Sequence, residues 1–402
     1  GLINYAVRGI TRLEAMLGAF DRINADPALL PGLALGLAIL DINSLRNVAL
    51  EQSFTFVYGL LIKCDCSSVR CAGGDLALTH GVAGVIGPSC SSSAIQVANL
   101  ASLLNIPMIS YGSTAPELSD KTRYPTFSRT IPSDAFQGLA MVDIFKHFNW
   151  NYVSVVYSDG TYGEEGCEAF IEALRARGGC IALSVKIGEF DRGDEEDFDK
   201  LLRELKRRAR VVVMCGHGET LRELLEAALR LGLTGEDYVF ISDDLFNKSL
   251  PAEPGAPGAI ELANASMLRF AYYFVLVLTL NNPRNPWFLE FWKENFICAL
   301  QDFLTLEPYE QEGKAGFVYD AVYLYAHALH NTTLALGGSW VDGEKLVQHL
   351  RNLTFEGVTG PVTFDENGDR DGDYVLLDTQ NTETGQLKVT GTYDGVGKWT
   401  EP

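Results

Sequence analysis

Apolar residues recur along this chain with two alternating periods. In ITRLEAMLGAFDRINA (10–25), Ile10, Leu13, Met16, Leu17 and Phe20 share one side of a 3.6-residue winding, which predicts an amphipathic helix. VAGVIGP (82–88) is a short continuous apolar run, the mark of a buried parallel strand, and it leads into SCSSSAIQVANLASLLN, a helix that opens on hydroxyls. IPMIS (106–110) predicts a second short strand. Met141, Ile144, Phe145 and Phe148 predict a helix around 135–148. YVSVVY (152–157), CIALSVKI (180–187), RVVVM (210–214) and YVFIS (238–242) predict further strands. Between them lie a helix ending near Arg177, the charged helix surface EFDRGDEEDFDKLLRELKRRAR, and ETLRELLEAALRLGL with Leu221, Leu224, Leu225 and Ala228 on one face.

This strand-then-helix alternation predicts α/β layers with mainly parallel sheets. In such sheets ligands bind at the carboxyl ends of strands. The residues to examine are therefore those just after strands: Ser89 to Ser93, Thr114, Tyr162 and Asp243. LPAEPGAPGA (250–259) reads as a hinge or linker. The run Phe270 to Leu280 is too short to span a bilayer and reads as a buried helix or strand pair. Residues 1–20 carry charge at helical spacing, unlike a secretory leader.

At 402 residues the chain is long for one domain, and two to three are expected. With 47% hydrophobic and 21% charged residues it has ample material for globular cores. A net charge of −20 argues against a nucleic-acid partner and against a polybasic membrane anchor.

Eight cysteines do not fix a connectivity. Cys167, Cys180 and Cys215 touch apolar runs and read as buried free thiols. Cys64, Cys66 and Cys71 lie in the polar loop CDCSSVRCAGGD; no His or second Cys pair follows at zinc spacing, so a disulfide or reactive thiol is favoured over a metal. Sequons begin at Asn247, Asn264, Asn331 and Asn352 and lean towards glycosylation outside the cell.

Each candidate site residue also has a plain structural reading. SCSSS can hold a carboxylate on backbone N–H groups and hydroxyls, or can be ordinary serine capping. Thr114 with Pro116 and Glu117 reads as a capping box, and Asp134 with Gln137 as another cap. Tyr162 is a staple or a pocket wall. Asp243 and Asp244 are a cation site or a helix start. Arg12 and Lys314 are, taken singly, surface bases. NGDRDGDYVLLD (367–378) partly fits a calcium loop, but a polar turn between strands fits better. No Ser-His-Asp, Cys-His or H-E-x-x-H arrangement is present, so an enzyme is not expected, and neither a metal nor a cofactor is implied.

GITRLEAMLGAFDRINADPALLPG, VALEQSFTF, GVIGPSCSSSAIQVANL, STAPELSDKTRY, WNYVSVVYSDGTYGEEG, NPRNPWFLEFWKENF and GFVYDAVYLYAHAL together resemble the extracellular ligand-binding domain of metabotropic glutamate receptors, which are class C G-protein-coupled receptors. The resemblance implies a bilobed Venus flytrap of the periplasmic-binding-protein type I class, two parallel-sheet lobes joined by three crossovers. Lobe 1 would span 1–132 and 264–371, and lobe 2 would span 133–263 and 372–402. It implies an amino-acid site at Ser91 and Thr114 from lobe 1, and at Asp134, Tyr162 and Asp243 from lobe 2. Arg12, Lys314 and Lys248 would meet a distal carboxylate, which favours L-glutamate. Lobe closure on the ligand would be the signal. Leu100, Leu103 and Leu104 would form a dimer stripe within a homodimer or heterodimer, and Cys64, Cys66 or Cys71 an intersubunit disulfide. The whole receptor would sit in the plasma membrane, with this domain extracellular and a G protein engaged through a membrane domain absent here. A class C relative sensing another amino acid, or a soluble amino-acid-binding protein, is the alternative. Departures from the family pattern include Cys90 beside Ser91, Ser44 and Leu245 at aromatic positions, and Gly1 and Asn43 where the family pairs two cysteines.

Overall fold

The computed structural model describes residues 2–43, 45–61, 82–188, 195–216, 218–233, 237–243, 275–281, 288, 314–335, 343–351, 353–379, 387–394 and 398–400. The chain forms two compact units, Gly1–Pro132 with Asn282–Asp371, and Ser133–Asn281 with Gly372–Pro402.

The first unit opens with α1 (Leu2–Ala25), α2 (Arg46–Leu61), β1 (Val85–Ile86), α3 (Ser91–Leu103), β2 (Met108–Ser110) and β3 (Phe127–Arg129). The second follows with α4 (Asp134–His147), β4 (Tyr152–Ser158), α5 (Thr161–Ala176), β5 (Cys180–Ile187), α6 (Glu195–Arg208), β6 (Val211–Cys215), α7 (Gly218–Arg230), β7 (Val239–Ser242) and β8 (Val275–Leu280). The chain returns to the first unit for α8 (Ala315–Ala335), α9 (Gly343–Leu350), β9 (Thr354–Gly357) and β10 (Gly360–Thr363). It ends in the second with β11 (Tyr374–Thr379), β12 (Leu387–Asp394) and β13 (Lys398–Thr400).

In the first unit β1, β2 and β3 form a parallel sheet, and β9 and β10 an antiparallel pair. Helix α8 is apolar on nearly every side, and Val318, Val322, Ala326 and Leu329 are buried along it, as expected of a helix inside a core. Against it α1 turns Ala15, Ala19 and Ile23, not the larger residues that its periodicity favoured. Met16 and Phe20 pack at the margin, while Ile10 and Leu17 are exposed.

The second unit holds one eight-stranded sheet in the order β13-β12-β11-β8-β7-β6-β4-β5. Strands β5, β4, β6, β7 and β8 run parallel, and β11, β12 and β13 complete the sheet antiparallel. The sheet is thus mainly parallel, with an antiparallel edge. The apolar run 270–280 supplies β8, whose Val275 registers with Phe240 of β7. This pairing keeps the strand in the second unit, not in a first lobe resuming at 264. Cys167 of α5 and Cys215 of β6 form a disulfide with Cα atoms 5.8 Å apart. The expectation of free thiols there is corrected: helix-over-strand packing brings the two buried sulfurs together. Cys180, at the start of β5, is a free thiol but exposed rather than buried. Cys64, Cys66, Cys71, Cys298 and the segment 250–259 lie outside the described residues.

The would-be calcium loop is a turn. The Asp365 carboxylate accepts from the backbone N–H groups of Asn367 and Asp369. Asp369 itself points to a buried arginine. Arg129 has no exposed side-chain surface, and all five of its N–H donors are used. Nε meets Asp369 Oδ1 at 2.8 Å and Nη2 meets Oδ2 at 3.1 Å. Nη1 donates to the carbonyls of Ala115 (2.9 Å) and Ser113 (3.2 Å), and Nη2 also to Ser119 Oγ. Burial alone would raise the Asp369 carboxyl, but Arg129, Lys121 and the Ser119 hydroxyl overcome it and hold the group below its usual range. Burial pushes the Lys121 ammonium down to about 8. One residue further, Arg370 donates to Thr130 O and Thr359 Oγ1. The chain therefore leaves the first unit, after residues 132 and 371, from two segments bonded to each other.

Asp369→Asn strips the counter-charge from a buried guanidinium, and unfolding measured by calorimetry at neutral pH should show a loss of about 3–5 kcal/mol. Arg129→Met with Asp369→Leu should recover part of it. Because the folded carboxyl titrates low, this stabilisation is complete above the ordinary carboxylate pKa of about 4 and drains only as pH falls through the lower folded value. An unchanged Tm in Asp369→Asn would contradict the assignment.

Candidate functional site

In the first unit the site residues cluster at the carboxyl ends of β1 and β2. Helix α3 begins at Ser91, and its N-cap, Cys90, makes no side-chain cap bond. The first-turn N–H groups of a helix have no partner within it. Here no serine caps them, contrary to the plain reading of SCSSS. Ser91 is instead turned onto the next loop: its Oγ accepts from Thr114 N and Ala115 N, both at 3.2 Å. With both lone pairs used, the hydroxyl retains one hydrogen to donate. The constellation thus offers hydrogens to an anion.

Thr114 is not the cap of a capping box. The short 3-10 turn Pro116–Ser119 starts from Ala115, and Glu117 accepts from the Tyr124 hydroxyl at 2.7 Å. The Thr114 hydroxyl is buried and has no hydrogen-bond partner among the described residues. Such a group costs about 1–3 kcal/mol unless something fills its place. Two bases reach the same wall. Arg12 of α1 donates to Ser89 Oγ at 3.1 Å, with its guanidinium 6.0 Å from the Tyr111 ring centre. Lys314, just before α8, reaches Gly112 O at 3.5 Å. Gly112 itself lies against Ser89, where an added Cβ would stand 2.8 Å from the serine Cβ. Arg12, Ser89, Ser91, Gly112, Thr114 and Lys314 therefore form one continuous surface.

In the second unit Asp134, Tyr162 and Asp243 follow β3, β4 and β7 respectively. Ser133 caps α4, accepting from Ala135 N, so Asp134 is the first helical residue and not the cap. That carboxylate faces Gly166 of α5, where an added Cβ would lie in ordinary contact, 3.4 Å from Asp134 Oδ2. Asp134 and Asp243 line one cavity of about 10 Å³, together with Gln137, Gly166, Phe170 and Cys215. That is room for about one water molecule. Two carboxylates on one small space favour a cation. Tyr162 stands half-buried in the first turn of α5.

Asp243 is held from three sides. Its N–H donates to Met214 O at 3.2 Å, its Oδ1 accepts from Gly216 N at 3.2 Å, and its carbonyl accepts from Gln137 Nε2 at 2.8 Å. The same Gln137 nitrogen donates to Leu278 O at 2.8 Å. Gln137 therefore does not close a cap on Asp134; it bridges the ends of β7 and β8. Sequence reading misses this role, as it misses Arg129, which holds the carbonyls on either side of Thr114. The one available signal is a polar residue at a position that the apolar period assigns to the interior.

Lys248, Asp244, Leu245, Ser44 and the sequon residues Asn247, Asn264 and Asn352 lie outside the described residues. Asn331 is half-buried on α8. Leu103 is 81% exposed at the end of α3, while Leu100 is half-buried and Leu104 packs against the core beneath. No group of three or more His, Cys, Asp or Glu placed to hold a metal occurs among the described residues. No helix among them is long and apolar enough to cross a membrane.

The sequence profile of the receptor family ligand binding region matches residues 11–382. The chain is 44% identical to metabotropic glutamate receptor 4 of Macaca fascicularis over 98% of its own length and 46% of that protein's. It is 44% identical to metabotropic glutamate receptor 8 of Homo sapiens, again over 98% of this chain and 46% of that one. Metabotropic glutamate receptor 6 of Oryctolagus cuniculus is 42% identical over 98% of this chain and 50% of its own. The chain spans about half the length of these relatives.

Gln137→Leu should leave two buried carbonyls unpaired, at a cost of about 1–3 kcal/mol each in denaturant unfolding. Gln137→Glu should be worse, since it sets a carboxylate against two carbonyl oxygens. Stability equal to the parent in both variants would remove Gln137 from this role.

Proposed function

The chain belongs to the receptor family ligand binding region, a periplasmic-binding-protein type I fold, and from that membership we propose that it senses an α-amino acid, L-glutamate in particular. The observation that carries the reading is the first unit's surface. There an uncapped helix start, the remaining Ser91 hydrogen and the bases Arg12 and Lys314 form one anion-binding wall around a buried Thr114 hydroxyl. Ser91 and the α3 N-terminus take the α-carboxylate. Arg12 and Lys314, with Lys248, take the distal carboxylate by charge-assisted hydrogen bonds. Thr114 with Asp134 and Asp243 takes the ammonium, and Tyr162 covers it.

A ligand with two negative groups and one positive group uses all of these residues, whereas a neutral amino acid brings no distal carboxylate to the bases. Contacts from residues of both units favour the state in which both sets are made, and that shift in population is the signal. The reading is of a binding domain, not an enzyme. It places the domain on the outer side of a plasma-membrane receptor that dimerises, with Leu103 on the dimer stripe, and that engages a G protein through its membrane portion.

Calorimetry of Arg12→Ala and Lys314→Ala should show a fall in L-glutamate affinity of about 10- to 100-fold each, the worth of a charged hydrogen bond of roughly 1.5–3 kcal/mol. The affinity for L-serine or L-alanine should change little. Asp243→Asn should weaken every α-amino acid. Equal losses for acidic and neutral ligands in the arginine and lysine variants would refute the distal-carboxylate assignment.

A further inference from the structure

The Cys167–Cys215 disulfide stands beside the second unit's carboxylate pair, in a more particular place than a staple needs. Both cysteines are buried, and the helix α5 and strand β6 that they join already share a core with Phe145, Phe170 and Leu174. A bridge anywhere along that contact would hold helix to strand. This one has, on each arm, a neighbouring glycine that meets a carboxylate. Gly166, next to Cys167, faces Asp134. Gly216, next to Cys215, donates its N–H to Asp243 Oδ1 at 3.2 Å. Cys215 also lines the cavity of about 10 Å³ that Asp134, Gly166 and Asp243 line.

Strand register does not extend to this point. The β6–β7 ladder ends at the pair Met214–Ser242, one residue before Cys215 and Asp243. Gly216 has a φ of +146°, a conformation that suits glycine, and an added Cβ there would collide with Ser158 Oγ. Glycine has the widest backbone freedom of any residue, so the direction of its N–H depends on what holds its neighbours. The nitrogen that bonds Asp243 belongs to the peptide unit that Cys215 begins. The disulfide holds the Cys215 Cα 5.8 Å from the Cα of Cys167, and Cys167 is joined in turn to the glycine that backs Asp134.

We propose that the Cys167–Cys215 disulfide is a positioning element for the amine end of the site. It sets the separation of the Asp134 and Asp243 carboxylates, and with it the affinity for a ligand's ammonium group. This role presupposes that the two carboxylates hold an amine, as the sensing function requires. Charge-assisted hydrogen bonds are short and directional, so an ammonium group gains from both carboxylates only while their spacing suits it. Neither sulfur need touch the ligand; each acts through the glycine beside it. Without the bridge, α5 and β6 keep their apolar packing, and the Gly216–Asp243 hydrogen bond is the first contact to loosen.

The test is Cys167→Val/Cys215→Ala, which replaces both sulfurs by apolar groups. Calorimetry should show L-glutamate and L-alanine weakened alike, by about tenfold, because the ammonium group is common to both. Asp243→Asn added to this variant should cost at most about threefold more, against about tenfold in the parent, since two changes to one interaction do not add. Leu202→Ala, in the unit's other core, is the control: it should lower the Tm and leave affinity within about twofold. Amide exchange read by NMR, with no amino acid present, should speed up at Gly216 about tenfold relative to Val213 within β6, which general destabilisation would not do. Should the double variant not fold, Cys167→Ala, which breaks the bond and keeps Cys215, is read in its place. Should no amino acid bind the parent, the sensing function fails by itself, and the exchange ratio alone decides whether the bridge holds Gly216 on Asp243. In a parent that binds, unchanged affinity without the bridge, a full further loss from Asp243→Asn, or an equal loss in Leu202→Ala would each overturn the proposal, as would an unchanged exchange ratio.

Discussion

A guanidinium with no exposed surface can persist only if every hydrogen it carries finds an acceptor. Arg129 meets that demand by gathering Asp369, Ser119 and the carbonyls of Ser113 and Ala115 around itself. Much of the first unit follows from this. The carbonyls on either side of Thr114 point inward to the arginine. The amides of Thr114 and Ala115 point the other way, onto Ser91 Oγ. The Ser91 hydrogen is then left to donate outward. The same arginine joins β3 to the returning chain at 369, and Arg370 repeats the device beside it through Thr130 and Thr359. The turn at Thr114 and the crossover segments thus share one buried set of hydrogen bonds, which is worth keeping only as a complete set.

The second unit solves a matching problem with neutral groups. Asp243 follows a parallel strand; its N–H still bonds to Met214 O of β6, but its carbonyl and carboxylate take partners from elsewhere. Gln137 supplies one from α4, and Gly216 N–H supplies another to the carboxylate. The Cys167–Cys215 disulfide ties α5 to the residue just before Gly216. The candidate residues of the two units therefore differ in character. One presents hydrogens and positive charge; the other presents carboxylates around a small space. An acidic amino acid carries the complement of both.

Most strands and helices were legible because periodicity and strand length follow directly from burial. The four strands from 152 to 242 begin and end within a residue or so of the apolar runs that announce them. Features that depend on what lies opposite were not legible. The buried face of α1 carries Ala15, Ala19 and Ile23, and which face α8 covers is not written in the period of α1. Cys167 and Cys215 pair because a helix crosses a strand 48 residues away in sequence. The antiparallel edge β11-β12-β13 was hidden because a β-run does not declare its direction. The cap at Ser133, one residue before the expected one, changed the role of Gln137. Gln137 bonds to two carbonyl oxygens and Arg129 to two more besides Asp369 and Ser119, and backbone acceptors leave no trace in a sequence. The candidate ligand residues were proposed from position after strands and from family resemblance together, since a lone Arg12 or Lys314 carries no signal of its own.

The central claim is that these residues select an amino acid with a second carboxylate. Isothermal titration calorimetry of the folded chain against L-glutamate, L-glutamine and L-alanine at fixed salt tests it most directly. The account predicts saturable binding of L-glutamate at least about tenfold tighter than either neutral amino acid, since L-glutamine fills the same volume without the distal charge. Equal affinity for L-glutamate and L-glutamine, or no heat of binding from a sample that is demonstrably folded, would contradict it.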